Sequence, residues 1–182
     1  MLRALVPLAP GCEELEAITI TDLLVRAGFD VTTCGLDDQP VKASRGTVII
    51  PTTRVDAVME QQFDLIVLPG GLPGADHLRD NPHIQQLLKN QAAAKRYVGA
   101  ICAAPKALAK AGLLENKTAT AYPGTLEALD DAHITISRQP VEIDGHVVTS
   151  RGPGTAMDFA LTLIELLAGR DKRNEVENQL VR

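Results

Sequence analysis

The sequence predicts an α/β chain: a three-layer α/β/α sandwich around a mostly parallel sheet. Strand-like and helix-like segments alternate along about three quarters of it. The strand-like segments are continuously apolar, as strands covered on both faces must be. A late Asp144-Gly145 pair between two β-rich runs signals a hairpin, which adds an antiparallel element near one sheet edge.

The elements follow in order. Leu2–Leu8 reads as a buried strand, and Glu14–Ala27 as a helix stopped by Gly28. Asp30–Cys34 is a strand, Thr47–Ile50 a short β-rich run and Val55–Gln61 a short helix. Phe63–Leu68 is the clearest strand and ends in Pro69-Gly70-Gly71. Pro82–Ala94 is a helix, with Asn81 suited to cap it. Tyr97–Ile101 is a strand, Ala103–Ala111 a helix closed by Gly112, and Thr118–Tyr122 a strand. The hairpin strands are Val141–Ile143 and His146–Thr149. An apolar helix, Thr155–Ala168, and a polar one, Asp171–Val181, close the chain. No repeat, low-complexity tract or linker interrupts this order. The expectation is one domain over residues 1–182 with a flavodoxin-like sheet.

Composition excludes several classes. The 45% hydrophobic and 23% charged content is that of a folded globular chain. With no Trp and five Phe or Tyr in 182 residues, a base-stacking surface is not expected. A net charge of −5 has the wrong sign for general binding to nucleic-acid backbones. No apolar run reaches the ~20 residues of a membrane span, and Leu2–Leu8 leads into Pro10-Gly11 rather than a cleavage site. Cys12, Cys34 and Cys102 have no CxxC spacing, and the four histidines form no HxxxH pair. Free thiols in a reducing, cytoplasmic setting are expected, with neither metal nor organic cofactor.

In parallel α/β sheets, ligands sit beyond the carboxyl ends of the strands. Cys102 occupies such a place, between Val98-Gly99-Ala100-Ile101 and Ala103-Ala104-Pro105. Small residues two places to either side, Ala100 and Ala104, are what a nucleophile elbow needs. Pro105 is tolerated in the first turn of a helix, so the helix is expected to begin at or just after Cys102. That would lower the thiol pKa from about 8.5 toward roughly 4–7.

Glu16, Ile20, Leu23, Leu24 and Ala27 share one helix face. A carboxyl heading an apolar stripe is either paired or kept protonated by desolvation; alternatively, it is a first-turn acid that only complements the helix dipole. Glu13 lies near the same face, and Glu14 reads as solvated. Gly70 and Gly71 end a strand where amides could approach a ligand oxygen, and the amides of Gly71 and Ala103 are candidate oxyanion donors. An ordinary turn is the other reading of these glycines. Cys12 could be a second oxidisable thiol, while Cys34 reads as core. Ile18 and Val25 lie opposite the Glu16 face, which suits a helix at a dimer interface.

Four motifs then occur in register: Gly11-Cys12-Glu13-Glu14-Leu15-Glu16, Val67-Leu68-Pro69-Gly70-Gly71, Ala100-Ile101-Cys102-Ala103-Ala104-Pro105 and Thr149-Ser150-Arg151-Gly152-Pro153-Gly154-Thr155. Together they closely resemble the DJ-one branch of the ThiJ/PfpI superfamily, which includes the bacterial YajL-type proteins. The resemblance implies a fold related to class I glutamine amidotransferase domains, and a homodimer. It implies that Glu16 is a protonated partner of a reactive Cys102, that Gly71 and Ala103 are backbone donors, and that Arg45 lies near the pocket and the dimer interface. It further implies a cofactor-independent glyoxalase or deglycase acting on small 2-oxoaldehydes or on glycated proteins and nucleotides, or else an oxidative-stress sensor or chaperone. Two departures matter. Ala103 stands where the protease-like branch has His, so peptidase activity is not implied. Tyr122-Pro123 stands where some members carry His-Pro near the pocket.

Overall fold

The computed structural model describes all 182 residues. Its main sheet has seven strands in the order β10-β11-β7-β6-β1-β2-β5. These are β1 (Arg3–Leu8), β2 (Asp30–Gly35), β5 (Thr53–Arg54), β6 (Leu65–Leu68), β7 (Tyr97–Ile101), β10 (Val141–Asp144) and β11 (Val147–Ser150). Every neighbouring pair is parallel except β10 with β11, the hairpin at one edge. β6 and the last four residues of β7 are wholly buried, as their uninterrupted apolar sequences require.

The helices are α1 (Glu14–Arg26), α2 (Gly74–Asp80), α3 (Pro82–Ala93), α4 (Pro105–Lys110), α5 (Ala156–Ala168) and α6 (Arg170–Gln179). α1 packs on α5 and α5 on α6, whereas α2 packs on both α3 and α4. The chain moves one way along the sheet from β1 to β2 and the other way from β6 to β7. Right-handed crossovers then put the two helix groups on opposite faces. One apolar cluster of 50 buried residues fills both interlayer spaces. This is a flavodoxin-like α/β sandwich.

Four local expectations need correction. The helix after Cys102 does not begin there: residues 102–104 form a turn and α4 starts at Pro105. Cys102 has φ +63°, a left-handed conformation that cannot join a right-handed helix. The strand expected over Thr118–Tyr122 is shorter and lies outside the main sheet. It is β8 (Lys117–Ala119), paired in parallel with β9 (Ile134–Ile136). The hairpin turn sits one residue later, at Gly145-His146, where Gly145 takes φ +64°. Finally, α2 and β3 (Val41–Lys42) had no clear sequence signal; β3 pairs with β4 (Val48–Ile49), which falls within the expected Thr47–Ile50 run, to form a two-stranded ribbon. The ribbon's turn presents Ser44 and Arg45.

Candidate active site at the strand ends

Cys102 follows β7, Gly70 and Gly71 follow β6, and Glu16 lies in the first turn of the helix that follows β1. All therefore gather at one end of the sheet. The Cys102 turn is pinned by backbone bonds. Its N–H donates to the Ser150 carbonyl at 3.0 Å, and its carbonyl accepts from the Tyr122 amide at 2.9 Å.

Gly70 is buried directly against this turn. A Cβ built there would stand 2.6 Å from Cys102 Cβ and 2.8 Å from the Ile101 carbonyl oxygen, so no side chain fits. The Gly70 amide donates to Glu16 Oε2 at 2.8 Å, and its carbonyl accepts from the Glu13 amide at 2.9 Å. Glu13 in turn caps α1, its Oε2 accepting from the Glu16 amide at 2.9 Å.

Glu16 has no exposed surface, and its predicted stripe of Ile20, Leu23, Leu24 and Ala27 is buried with it. Burial pushes its pKa up to about 7, against the pull of the Gly70 amide and the Cys102 thiol. Oε1 is buried without a nitrogen or oxygen partner. Two side chains act on this carboxyl: the Cys102 thiol lowers its pKa and the charge of Glu13 raises it.

Cys102 is 8% exposed. The pKa lowering expected from a helix start is not found. Burial and the negative charge of an ionised Glu16 push the thiol up to about 12, while the amides of Gly71 and Ala103 pull it down. The two expected backbone donors are thus directed at the sulfur. Glu16 raises the thiol pKa only while it is charged. When it keeps its proton that opposition vanishes, and the carboxyl and both amides can all donate to sulfur.

A cavity of about 270 Å³ opens above the thiol. Cys102, Ala103, Gly71, Arg45 and Tyr122, all singled out in the sequence, line it, whereas the buried Glu16 and Gly70 do not. Glu13, which the sequence already placed near the Glu16 face, completes the wall with Ser44, Leu72, Thr125 and Pro153; Ser44, Leu72 and Thr125 carried no sequence signal of their own. Pro153 belongs to a quoted motif, and Ser44 adjoins Arg45. Tyr122 is 53% exposed and stands at the rim.

Glu14 is not merely solvated. Its carboxylate accepts from Ser44 Oγ at 3.2 Å, the Arg45 amide at 3.0 Å and the Thr47 amide at 3.2 Å. Burial alone would raise its pKa. The amides of Glu14, Arg45 and Thr47 and the Ser44 hydroxyl outweigh it and bring it to about 2. Cys12 and Cys34 have no exposed surface. Burial, with the charges of Glu14 and Glu13, pushes Cys12 up to about 11, and burial alone pushes Cys34 up to about 12. The four histidines are exposed. No group of three or more His, Cys, Asp or Glu side chains is arranged to hold a metal ion, and no helix is long and apolar enough to cross a membrane.

Known proteins share this fold over nearly the whole chain. The model of the DJ-1/PfpI family matches residues 2–166. Protein dj-1beta of Drosophila melanogaster is 43% identical over 179 residues, covering 98% of this chain and 96% of that protein. Its crystal structure superposes with a TM-score of 0.95 at 42% identity, covering 99% of this chain and 97% of that one. The glutathione-independent glyoxalase DJR-1.2 of Caenorhabditis elegans is 38% identical over 181 residues, covering 95% of this chain and 92% of that protein. Toxoplasma gondii DJ-1, in an oxidized form, superposes with a TM-score of 0.94 at 35% identity, covering 100% and 98% of the two chains.

Proposed function

Because this chain belongs to the DJ-1/PfpI family, we propose that it is a cofactor-independent glyoxalase of the glyoxalase III type, with Cys102 as nucleophile and Glu16 as proton carrier. Its substrates would be small 2-oxoaldehydes such as methylglyoxal. Deglycation of early adducts on proteins or nucleotides would differ in the first step, where the Cys102 sulfur displaces the parent amine or thiol and that group leaves with a proton; the later steps are shared. One observation carries this reading: a fully buried carboxyl whose Oε1 has no nitrogen or oxygen partner lies beside a thiol held in a left-handed turn. Burial there favours a protonated acid near neutrality, and that proton has the sulfur as its acceptor. The name of the C. elegans relative supports the same reaction class.

The steps balance without an outside oxidant. The Cys102 sulfur adds to the aldehyde carbon, and the proton shared by the pair goes to the new alkoxide, giving a hemithioacetal and a Glu16 carboxylate. The alkoxide oxygen forms on the carbon bonded to the sulfur, where the Gly71 and Ala103 amides that act on the sulfur would serve as its donors. Glu16 then removes the hydrogen of the former aldehyde carbon and returns a proton to the neighbouring carbon, while the hydroxyl proton passes from the first oxygen to the second through the enediol. The first carbon is oxidised, the second is reduced, and a thioester results. Water cleaves the thioester to release lactate and restore the thiol.

The test is ¹H NMR of methylglyoxal incubated with the protein and EDTA, without glutathione. Lactate should accumulate above the buffer control in proportion to protein. A lactate level equal to buffer overturns the assignment.

A second reading rests on the same sulfur. The Gly71 and Ala103 amides and the Glu16 carboxyl act on it, and such donors would also hold the oxygens of a sulfinate. A redox sensor or redox-regulated chaperone is therefore the alternative. It requires Cys102 to gain oxygen in mild peroxide, as seen by intact mass, in preference to the buried Cys12 and Cys34. A cytoplasmic homodimer belongs to this proposal. Leu15, Ile18 and Val25 leave the outer face of α1 at least 49% exposed, an apolar surface fit for a second copy.

A further inference from the structure

Seven of the eleven arginines form ion pairs with carboxylates. The four without such a pair are Arg45, Arg96, Arg138 and Arg151. Arg96 is held by Gln62 Oε1 at 2.8 Å. Arg45 lines the Cys102 cavity together with Tyr122. Arg138 and Arg151 line a second cavity of about 260 Å³ with Glu127 and with Ala121 and Pro123, the chain neighbours of Tyr122.

This second cavity is tied to the reacting centre through backbone bonds. Ser150, whose carbonyl accepts from the Cys102 amide, immediately precedes Arg151. Tyr122, whose amide donates to the Cys102 carbonyl, lies between Ala121 and Pro123. The Arg151 guanidinium is seated by its Nη1, which donates to the Arg138 carbonyl at 3.3 Å. One oxygen of the Glu127 carboxylate accepts from the Gly124 amide at 3.0 Å. Two guanidinium groups against one carboxylate leave the cavity with a net positive charge. Neutral methylglyoxal has no group that would use it.

We propose that Arg138 and Arg151 form an anion subsite that holds the phosphate of a phosphorylated carbonyl substrate whose aldehyde reacts at Cys102. Guanidinium forks suit a tetrahedral oxyanion, and unpaired ones bind it without first breaking an ion pair. The substrate part of this inference rests on the glyoxalase reading above; the anion site itself does not.

The experiment has two arms. In the first, kcat/KM is measured for 3-hydroxy-2-oxopropanal and for its 3-phosphate, which share one reacting end. The wild-type preference for the phosphate ester should be at least about 10-fold. In the Arg138→Ala, Arg151→Ala double variant the ratio should fall to near one. In the second arm, inorganic phosphate is titrated into the protein and the amide resonances of Ser137, Arg138, Arg151 and Gly152 are followed by NMR. They should shift and saturate in the wild type and stay still in the double variant. Absence of those shifts in the wild type overturns the proposal, whatever the turnover. A phosphate preference that survives in the double variant also overturns it. If phosphate binds there while neither carbonyl compound is consumed, the anion site stands and the glyoxalase reading fails.

Discussion

Gly70 lies so close to Cys102 that a methyl group on its Cα would sit 2.6 Å from Cys102 Cβ. The same glycine donates its amide to Glu16 at 2.8 Å. One residue therefore spaces the thiol from the sheet and orients the acid beside it. Gly70→Ala should cost about 1–3 kcal/mol through overpacking and depress lactate formation more than the lost stability explains. Urea midpoints alongside turnover check this; a variant with wild-type values for both would show that the contact is slack.

Glu16 makes stability depend on pH. Its carboxyl keeps its proton up to about 7 in the folded chain, against 4.5 for an ordinary glutamate. The unfolded chain releases that proton first as pH rises. The group's contribution is therefore complete below 4.5 and is lost as pH climbs through about 7. The slope over that window reaches at most about 1.4 kcal/mol per pH unit. Glu16→Gln cannot titrate, so urea unfolding at pH 5 and at pH 7.5 should show a smaller difference than in the wild type. The same variant should lose about 10²-fold or more in turnover, the scale of a positioned proton carrier.

Much of this pair was legible before any coordinates. Continuous apolar runs marked β6 and β7, and a helical count put Glu16 on the face that buries Ile20, Leu23 and Leu24. Ala100 and Ala104 marked a crowded turn around Cys102. What escaped was tertiary. α2 buries only Gly74, Ala75 and Leu78, too little for a helical pattern, and β9 buries only Ile134. The left-handed φ of Cys102 is enforced by bonds to Ser150 and Tyr122, distant in sequence. For the same reason the sequence does not show the thiol pKa: burial and a neighbouring acid act on it, together with two amides, one of them from another strand end.

Glu14 is expected to act on the cavity wall at a distance from the thiol. Its carboxylate anchors Ser44, Arg45 and Thr47. Glu14→Ala should speed hydrogen exchange at the Arg45 and Thr47 amides, with the core strands unchanged. Exchange at wild-type rates would mean the loop holds itself. Because the folded pKa is lowered to about 2, this anchor persists well into acid and weakens only as pH falls toward that value.

The exposed apolar face of α1 leads to a separate expectation. Ile18 is 49% and Val25 58% exposed. If a second copy covers them, Ile18→Arg should shift the protein to monomer in sedimentation velocity, with the helical signal retained. A wild type that already sediments as a monomer would remove the interface.

The most direct test concerns the sulfur itself. Lactate production from methylglyoxal should be followed for wild type and Cys102→Ser side by side, with circular dichroism showing both folded. The serine variant should fall by at least about 10³-fold, since its hydroxyl cannot replace the polarisable sulfur as nucleophile beside an acid. A serine variant that makes lactate at the wild-type rate would place the chemistry elsewhere and contradict the account.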